Sequence, residues 1–348
     1  MHAWSNAARL GPVPQEWPQE RVRALQQGQG SNDAPRNRGG PIQSDSILDA
    51  VYALNDHAAR DGSQHSLRQE GQGAPMVLET QEGPLYYQVD ELTPPWVRDP
   101  PTIVFCHGVA VNCDIWAAWL PLLAPRFRIV RFDTRGFGRS IVPGRKIDWR
   151  MDLLADDILG VARATGTERF HLVGESMGGT VCLHLACRPD APLLSLTCAS
   201  TAHRGGSIRR VAEWRDFVAR EGIAAWSAQM MERRFYPGAL SAAERNWFDG
   251  VQQRCSADSL LDAADMLVAA DLTDDLRRIT APTLLLCPDD SPFVSLDLSS
   301  EIHRLIAHSE MAVFPGARHG LPFSHAKACA ETLLAFIDRH VPSAPLKR

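Results

Sequence analysis

An α/β fold, with a mostly parallel central sheet of about eight strands, flanking helices and a helical cap insertion, is predicted by three observations. Short apolar runs alternate with helical patterns from residue 76 onward, which implies crossover connections and parallel strands. The alternation stops between about residues 201 and 276, where only helix-like, Arg- and Trp-rich segments occur, and resumes at 283. A G-x-S-x-G pentapeptide, Gly174-Glu175-Ser176-Met177-Gly178, lies directly after an apolar run and directly before a helix-like one.

Residues 1–75 are rich in Gln, Gly, Pro, Arg and Asn, and stretches such as 26–30 and 37–41 are too polar and glycine-rich to build a core. They are expected to be a largely disordered N-terminal extension. Within it, Ile47, Leu48, Val51, Tyr52 and Leu54 lie at helical spacing behind Ser46, which marks a short helix over 46–59. Strands follow at 76–79, 85–89, 102–106, 129–132, 170–173 and 193–198, with helices over 114–124 and 149–165. After the pentapeptide, residues 180–187 carry apolar groups at helical spacing until Arg188-Pro189 ends the run. The strand signal returns at 283–287 and 310–314. A core of 76–200 and 277–348 thus brackets a helical cap over 201–276, placed above the strand ends where α/β proteins bind ligands.

Composition excludes several function classes. The chain of 348 residues is 45% hydrophobic, enough to bury a large core, and its formal net charge of -5 argues against a general nucleic-acid surface. No apolar stretch approaches the roughly 20 residues needed to span a bilayer, so no membrane partner is expected. Residues 1–10 lack the apolar run of a secretory signal, which predicts a cytoplasmic protein, monomeric or homodimeric, acting on a small molecule. Eight cysteines are scattered without a C-x-x-C pair, and Cys106, Cys198 and Cys287 fall within strands, as reduced thiols in a core do. No H-E-x-x-H or similar cluster occurs, and neither metal nor other cofactor is expected.

The pentapeptide places Ser176 on a sharp strand-to-helix turn, where flanking glycines allow close backbone approach and the helix N-terminus faces developing negative charge. A serine hydroxyl needs a base to remove its proton and an acid to orient that base. His319, on the Gly- and Pro-containing loop after the last strand, is the base. For the acid, Asp289 and Asp290 both end the strand 283–287; Asp290 is preferred because one more residue of loop extends its reach, and Asp289 is the alternative. Oxyanion stabilisation falls to the backbone N–H groups of Met177 and of Val109, the latter in the His107-Gly108-Val109 loop after strand 102–106. His107 is expected to hydrogen-bond its own loop. Aromatic residues of the insertion, foremost Trp214, Phe235 and Trp247, are candidates to line an apolar substrate pocket. Arg209, Arg210, Arg233 and Arg234 could bind a substrate carboxylate or be solvated surface charge. The Asp133–Ser140 segment has the glycines of a phosphate loop without the Gly-Lys-Ser/Thr ending, and reads as a structural turn.

With His107-Gly108, the Asp133-Thr134-Arg135-Gly136-Phe137-Gly138-Arg139-Ser140 segment, the Gly174–Gly178 elbow and the late Asp and His in order, residues 76–341 resemble the α/β-hydrolase family. The insertion resembles the cap of 3-oxoadipate enol-lactonases and related esterases, through Arg233-Arg234-Phe235-Tyr236-Pro237 and Asp271–Leu276 before Ile279-Thr280-Ala281-Pro282-Thr283. The chain departs from that pattern at the acid: where many members carry it, a gapless comparison puts Ser291. The resemblance implies a cofactor-independent serine hydrolase that cleaves an ester or lactone through an acyl-enzyme on Ser176. Two alternatives stand beside it: hydrolysis of a carbon–carbon bond in a meta-cleavage-type 1,5-diketone, and a weakly catalytic ligand receptor on the same fold.

Overall fold

The computed structural model describes residues 75–141, 144–208 and 211–341. The predicted N-terminal extension with its helix at 46–59, and Arg209 and Arg210, lie outside the described residues.

Strands β1 (Met76–Leu78), β2 (Leu85–Asp90), β3 (Thr102–Cys106), β4 (Arg128–Phe132), β5 (Phe170–Glu175), β6 (Leu193–Ala199), β7 (Thr283–Pro288) and β8 (Ser309–Phe314) form one sheet. Their spatial order is β1-β2-β4-β3-β5-β6-β7-β8. The β1–β2 and β2–β4 pairs are antiparallel and every later pair is parallel.

Parallel strands covered on both faces need apolar side chains on both, and β3, read Thr-Ile-Val-Phe-Cys, is buried throughout. Alternation along the strand divides its residues between two cores. Val104 and Cys106 join Leu172, Leu196 and Leu285 beneath helices α1 (Met151–Ala164) and α2 (Met177–Ala186). Ile103 and Phe105 join Val173, Leu284 and Leu286 on the opposite face, against Trp116, Trp119, Leu333 and Phe336.

The predicted helix over 114–124 is instead a tight 3₁₀ segment, Cys113–Trp119, followed by a single α turn, Leu120–Leu123. The Asn112 side chain accepts the Asp114 N–H at its start, and Pro121 near the junction denies the helix an internal hydrogen bond.

Between β6 and β7 run helices α3 (Trp214–Arg234), α4 (Ala242–Gln253) and α5 (Ala257–Ala269). Gly222, at φ 82°, breaks α3 into two helical stretches. The α4 start is fixed by a reciprocal capping box between Ser241 and Glu244. Helices α6 (Leu296–Leu305) and α7 (Ala326–His340) complete the layers flanking the sheet. Among the described residues no helix is long and apolar enough to cross a membrane.

Candidate active site

The β5–α2 turn is where the elbow forms. Ser176 has φ 54° and ψ −121°, a conformation that is strained for any residue with a Cβ. The surrounding glycines make the turn possible. A Cβ on Gly178 would lie 2.4 Å from the His107 carbonyl oxygen, and one on Gly174 would lie 2.7 Å from Gly179 Cα, so both must stay bare. The turn lifts the Ser176 hydroxyl to 2.9 Å from His319 Nε2. Met177 is the first residue of α2, so its N–H belongs to the helix end that has no carbonyl partner within the helix.

The loop after β3 is held from both sides. His107 lies fully buried, with Nε2 accepting the Thr134 N–H at 2.8 Å and Nδ1 2.7 Å from the Gly108 carbonyl oxygen. Both ring nitrogens are therefore engaged by backbone. Glu175, beside Ser176, accepts the Gly108 N–H at 2.9 Å, and burial raises its carboxyl pKa. Val109 follows Gly108 and lines the same pocket as Ser176 and His319.

The segment after β4 is an internal scaffold. The buried Asp133 carboxylate accepts the N–H groups of Cys113 at 2.8 Å and Arg139 at 2.7 Å, and pairs with the Arg139 guanidinium. Arg135 forms a buried two-point pair with Asp157, at 2.6 and 3.0 Å.

At the orienting acid the structure departs from expectation. Asp290 is exposed; its Oδ2 accepts from the Tyr236 hydroxyl and from Arg318 Nε at 3.4 Å. Asp289 is exposed too, and caps the N–H groups of Gly316 at 3.0 Å and Ala317 at 3.1 Å. Neither aspartate meets His319. The group on His319 Nδ1 is Ser291 Oγ, at 3.1 Å. The backbone explains the shift: Asp289 N–H bonds to the Phe314 carbonyl and Asp290 N–H to the Ala317 carbonyl, which keeps this stretch beside the β8 exit until Ser291 turns inward. His319 is 5% exposed, and burial together with the Arg234 guanidinium lowers its pKa to about 3.

The pocket is lined by Ser176, His319, Val109, Thr180, Ser200, Ala202, Ile208, Val211, Trp214, Arg234, Leu267, Phe293 and Val294. Of the three predicted aromatic lining residues, only Trp214 is there. Phe235 is buried between the insertion and the histidine loop, 4.9 Å from the Phe248 ring and closely packed on Gly320. Trp247 stacks on Phe323, with ring centres 5.6 Å apart and planes 12° apart. Both serve packing between the insertion and the core.

Arg234 is 2% exposed, and burial lowers its pKa. Its Nη2 donates to the Val109 carbonyl at 3.3 Å, while Nε has no hydrogen-bond partner among the described residues. Sequence reasoning missed Phe293, Val294, Ile208 and Leu267, since an apolar residue in a loop or helix carries no mark of which cavity it faces. Ser291 was visible in the sequence as the residue at the acid's place.

Residues 101–326 match the family described as the alpha/beta hydrolase fold. The bifunctional esterase/perhydrolase DCH of Acinetobacter calcoaceticus is 29% identical over 261 residues, which cover 69% of this chain and 92% of that protein. RutD of Pantoea ananatis, provisionally named a carbamate hydrolase, is 28% identical over 250 residues, covering 69% and 90%. Among solved structures, the enol-lactonase of Burkholderia xenovorans LB400 superposes with a TM-score of 0.69 at 22% identity, over 75% of this chain and 99% of that one. On the extent of the family match, on the sheet order and on these relatives, the chain belongs to the α/β-hydrolase family and is a hydrolytic enzyme of that class.

Proposed function

We propose that the protein hydrolyses a small carboxylic ester or lactone through an acyl-enzyme on Ser176. The observation that carries this reading is the 2.9 Å contact between Ser176 Oγ and His319 Nε2 at a strained elbow, inside a largely apolar pocket. Ser176 Oγ attacks the carbonyl carbon while its proton passes to His319 Nε2. The carbonyl oxygen, now negative, is received by the N–H groups of Val109 and Met177. Collapse expels the alcohol, or opens the ring, with the proton returned from His319. Water then attacks the acyl-enzyme by the same route and frees Ser176.

The Arg234 guanidinium adds a substrate preference. The buried Arg234 guanidinium, on the pocket wall with Glu175 as its neighbouring charge and with an Nε–H that has no partner among the described residues, favours an acyl compound that carries a carboxylate, and Ile208, Val211, Trp214 and Leu267 accommodate its carbon chain. The test is a screen of esters, lactones and 1,5-diketones against the protein and its Ser176→Ala variant. It should pair each neutral methyl ester with its carboxylate-bearing counterpart. Turnover that survives in Ser176→Ala would overturn the assignment, and equal kcat/KM across the pairs would overturn the preference for an anion.

A further inference from the structure

Ser291 occupies the place where an acceptor would orient the catalytic base, and its hydrogen-bond inventory is already committed. Its Oγ lies 3.1 Å from the Val294 N–H and 3.3 Å from the Phe293 N–H, both of which can only donate. A hydroxyl has two lone pairs and one proton, so both lone pairs are taken. Among the described residues the proton then has one partner within reach, His319 Nδ1 at 3.1 Å.

We propose that Ser291 donates to His319 Nδ1 and so holds the free enzyme's imidazole in the tautomer whose proton sits on Nε2, facing Ser176. The proposal rests on the reading of Ser176 and His319 as the reacting pair. In this state Nε2 donates to Ser176 Oγ across 2.9 Å and has no lone pair to take the serine's proton. The competent tautomer, with its proton on Nδ1, would bring three N–H donors onto Ser291 Oγ and leave the Ser291 hydrogen without an acceptor. Orphaning one buried donor lowers the population of that state by roughly 10- to 100-fold. Among the described residues nothing else on the ring opposes the inversion. Phe293 presents its ring at 4.8 Å and near-perpendicular, and the nearby charge is the Arg234 cation, which disfavours an imidazolium. Ser291 is thus a positioning residue that restrains the base, the reverse of the carboxylate's effect. A carboxylate at 291 offers about four acceptor sites, enough for both backbone N–H groups and for Nδ1–H together.

The full-length protein labelled with ¹⁵N-histidine tests this directly. His319 is assigned by the signals lost in His319→Gln, and two-bond ¹⁵N–¹H correlations at pH 7 report which nitrogen is protonated. The expected result is a protonated Nε2 and a bare Nδ1 in the natural protein, with a protonated Nδ1 in Ser291→Asp. A protonated Nδ1 in the natural protein would overturn the proposal, whether or not Ser291→Asp folds. Activity supplies the second readout, on a carboxylate-bearing p-nitrophenyl ester. Ser291→Ala releases Nδ1 and should raise kcat severalfold, while Ser291→Asp should raise it by a factor on the order of 100 or more, since a wrong histidine tautomer costs about 10⁴ in serine proteases. A tenfold fall in Ser291→Ala with an unchanged circular dichroism spectrum would show that Ser291 accepts from Nδ1 and overturn the assignment. If Ser176→Ala retained turnover, the hydrolase reading would fail while the tautomer measurement still stood.

Discussion

The His319 imidazole should make the protein lose stability steeply in mild acid, by an amount that follows from its burial. Its folded pKa of about 3 lies below the ordinary histidine value of 6.5, so the unfolded chain binds the proton first as pH falls. The stabilisation is therefore complete above pH 6.5 and declines as pH falls toward 3. At pH 5 the unfolded histidine is almost fully protonated and the folded one almost bare. The difference of 1.5 pH units below 6.5, at 1.36 kcal/mol each, gives a loss of about 2 kcal/mol. That figure depends almost entirely on the unfolded value, because any folded pKa of 4 or less leaves it unchanged. His171, whose pKa burial lowers to about 4, adds a loss of its own. Comparison with His319→Gln removes that common part. Urea unfolding of both proteins at pH 7 and pH 5 should show the natural protein losing about 2 kcal/mol more than the variant over this interval. Equal losses would refute the reasoning, because they would mean that folded His319 takes up its proton as readily as the unfolded chain does.

Other expectations follow from the scaffold and the insertion. Arg135→Met should destabilise the protein by about 3–5 kcal/mol in urea unfolding, since it strands the buried Asp157 carboxylate, and Asp157→Leu added to it should restore much of the loss. Phe235→Ala should cost about 3–5 kcal/mol of stability with KM nearly unmoved, because its ring fills the contact on Gly320 and Phe248. Trp214→Ala should show the opposite division, raising KM in steady-state assays of the best ester, since its ring borders the pocket that holds Ser176.

The sheet was legible in the sequence because central parallel strands such as β3 and β7, buried throughout, are nearly continuous apolar runs, and the predicted strand over 102–106 coincides with β3 to the residue. The elbow was legible for a steric reason: the glycines at 174 and 178 are where the backbone of α2 passes closest to its neighbours. The identity of the residue on His319 Nδ1 was not, because Asp289, Asp290 and Ser291 are consecutive and only the direction of the loop decides which turns inward. Two carboxylates suited to the chemistry went to other work, Asp289 as a cap on the histidine loop and Asp290 as the partner of Tyr236. The aromatic residues of the insertion failed in the same way. Phe235, Trp247 and Trp214 are equally apolar on paper, and tertiary packing alone distinguishes the wall of a pocket from the filling between layers.

The junction of α3 with the histidine loop couples two parts that lie far apart along the chain. The Gly320 N–H donates to the Arg234 carbonyl at 3.0 Å, while the side chain of the same arginine holds the Val109 carbonyl. One residue at the end of α3 thus grips the neighbour of His319 and the loop that carries Val109. A displacement of this end of α3 would therefore reach the loop of His319 and the loop of Val109 together, through one residue and two hydrogen bonds.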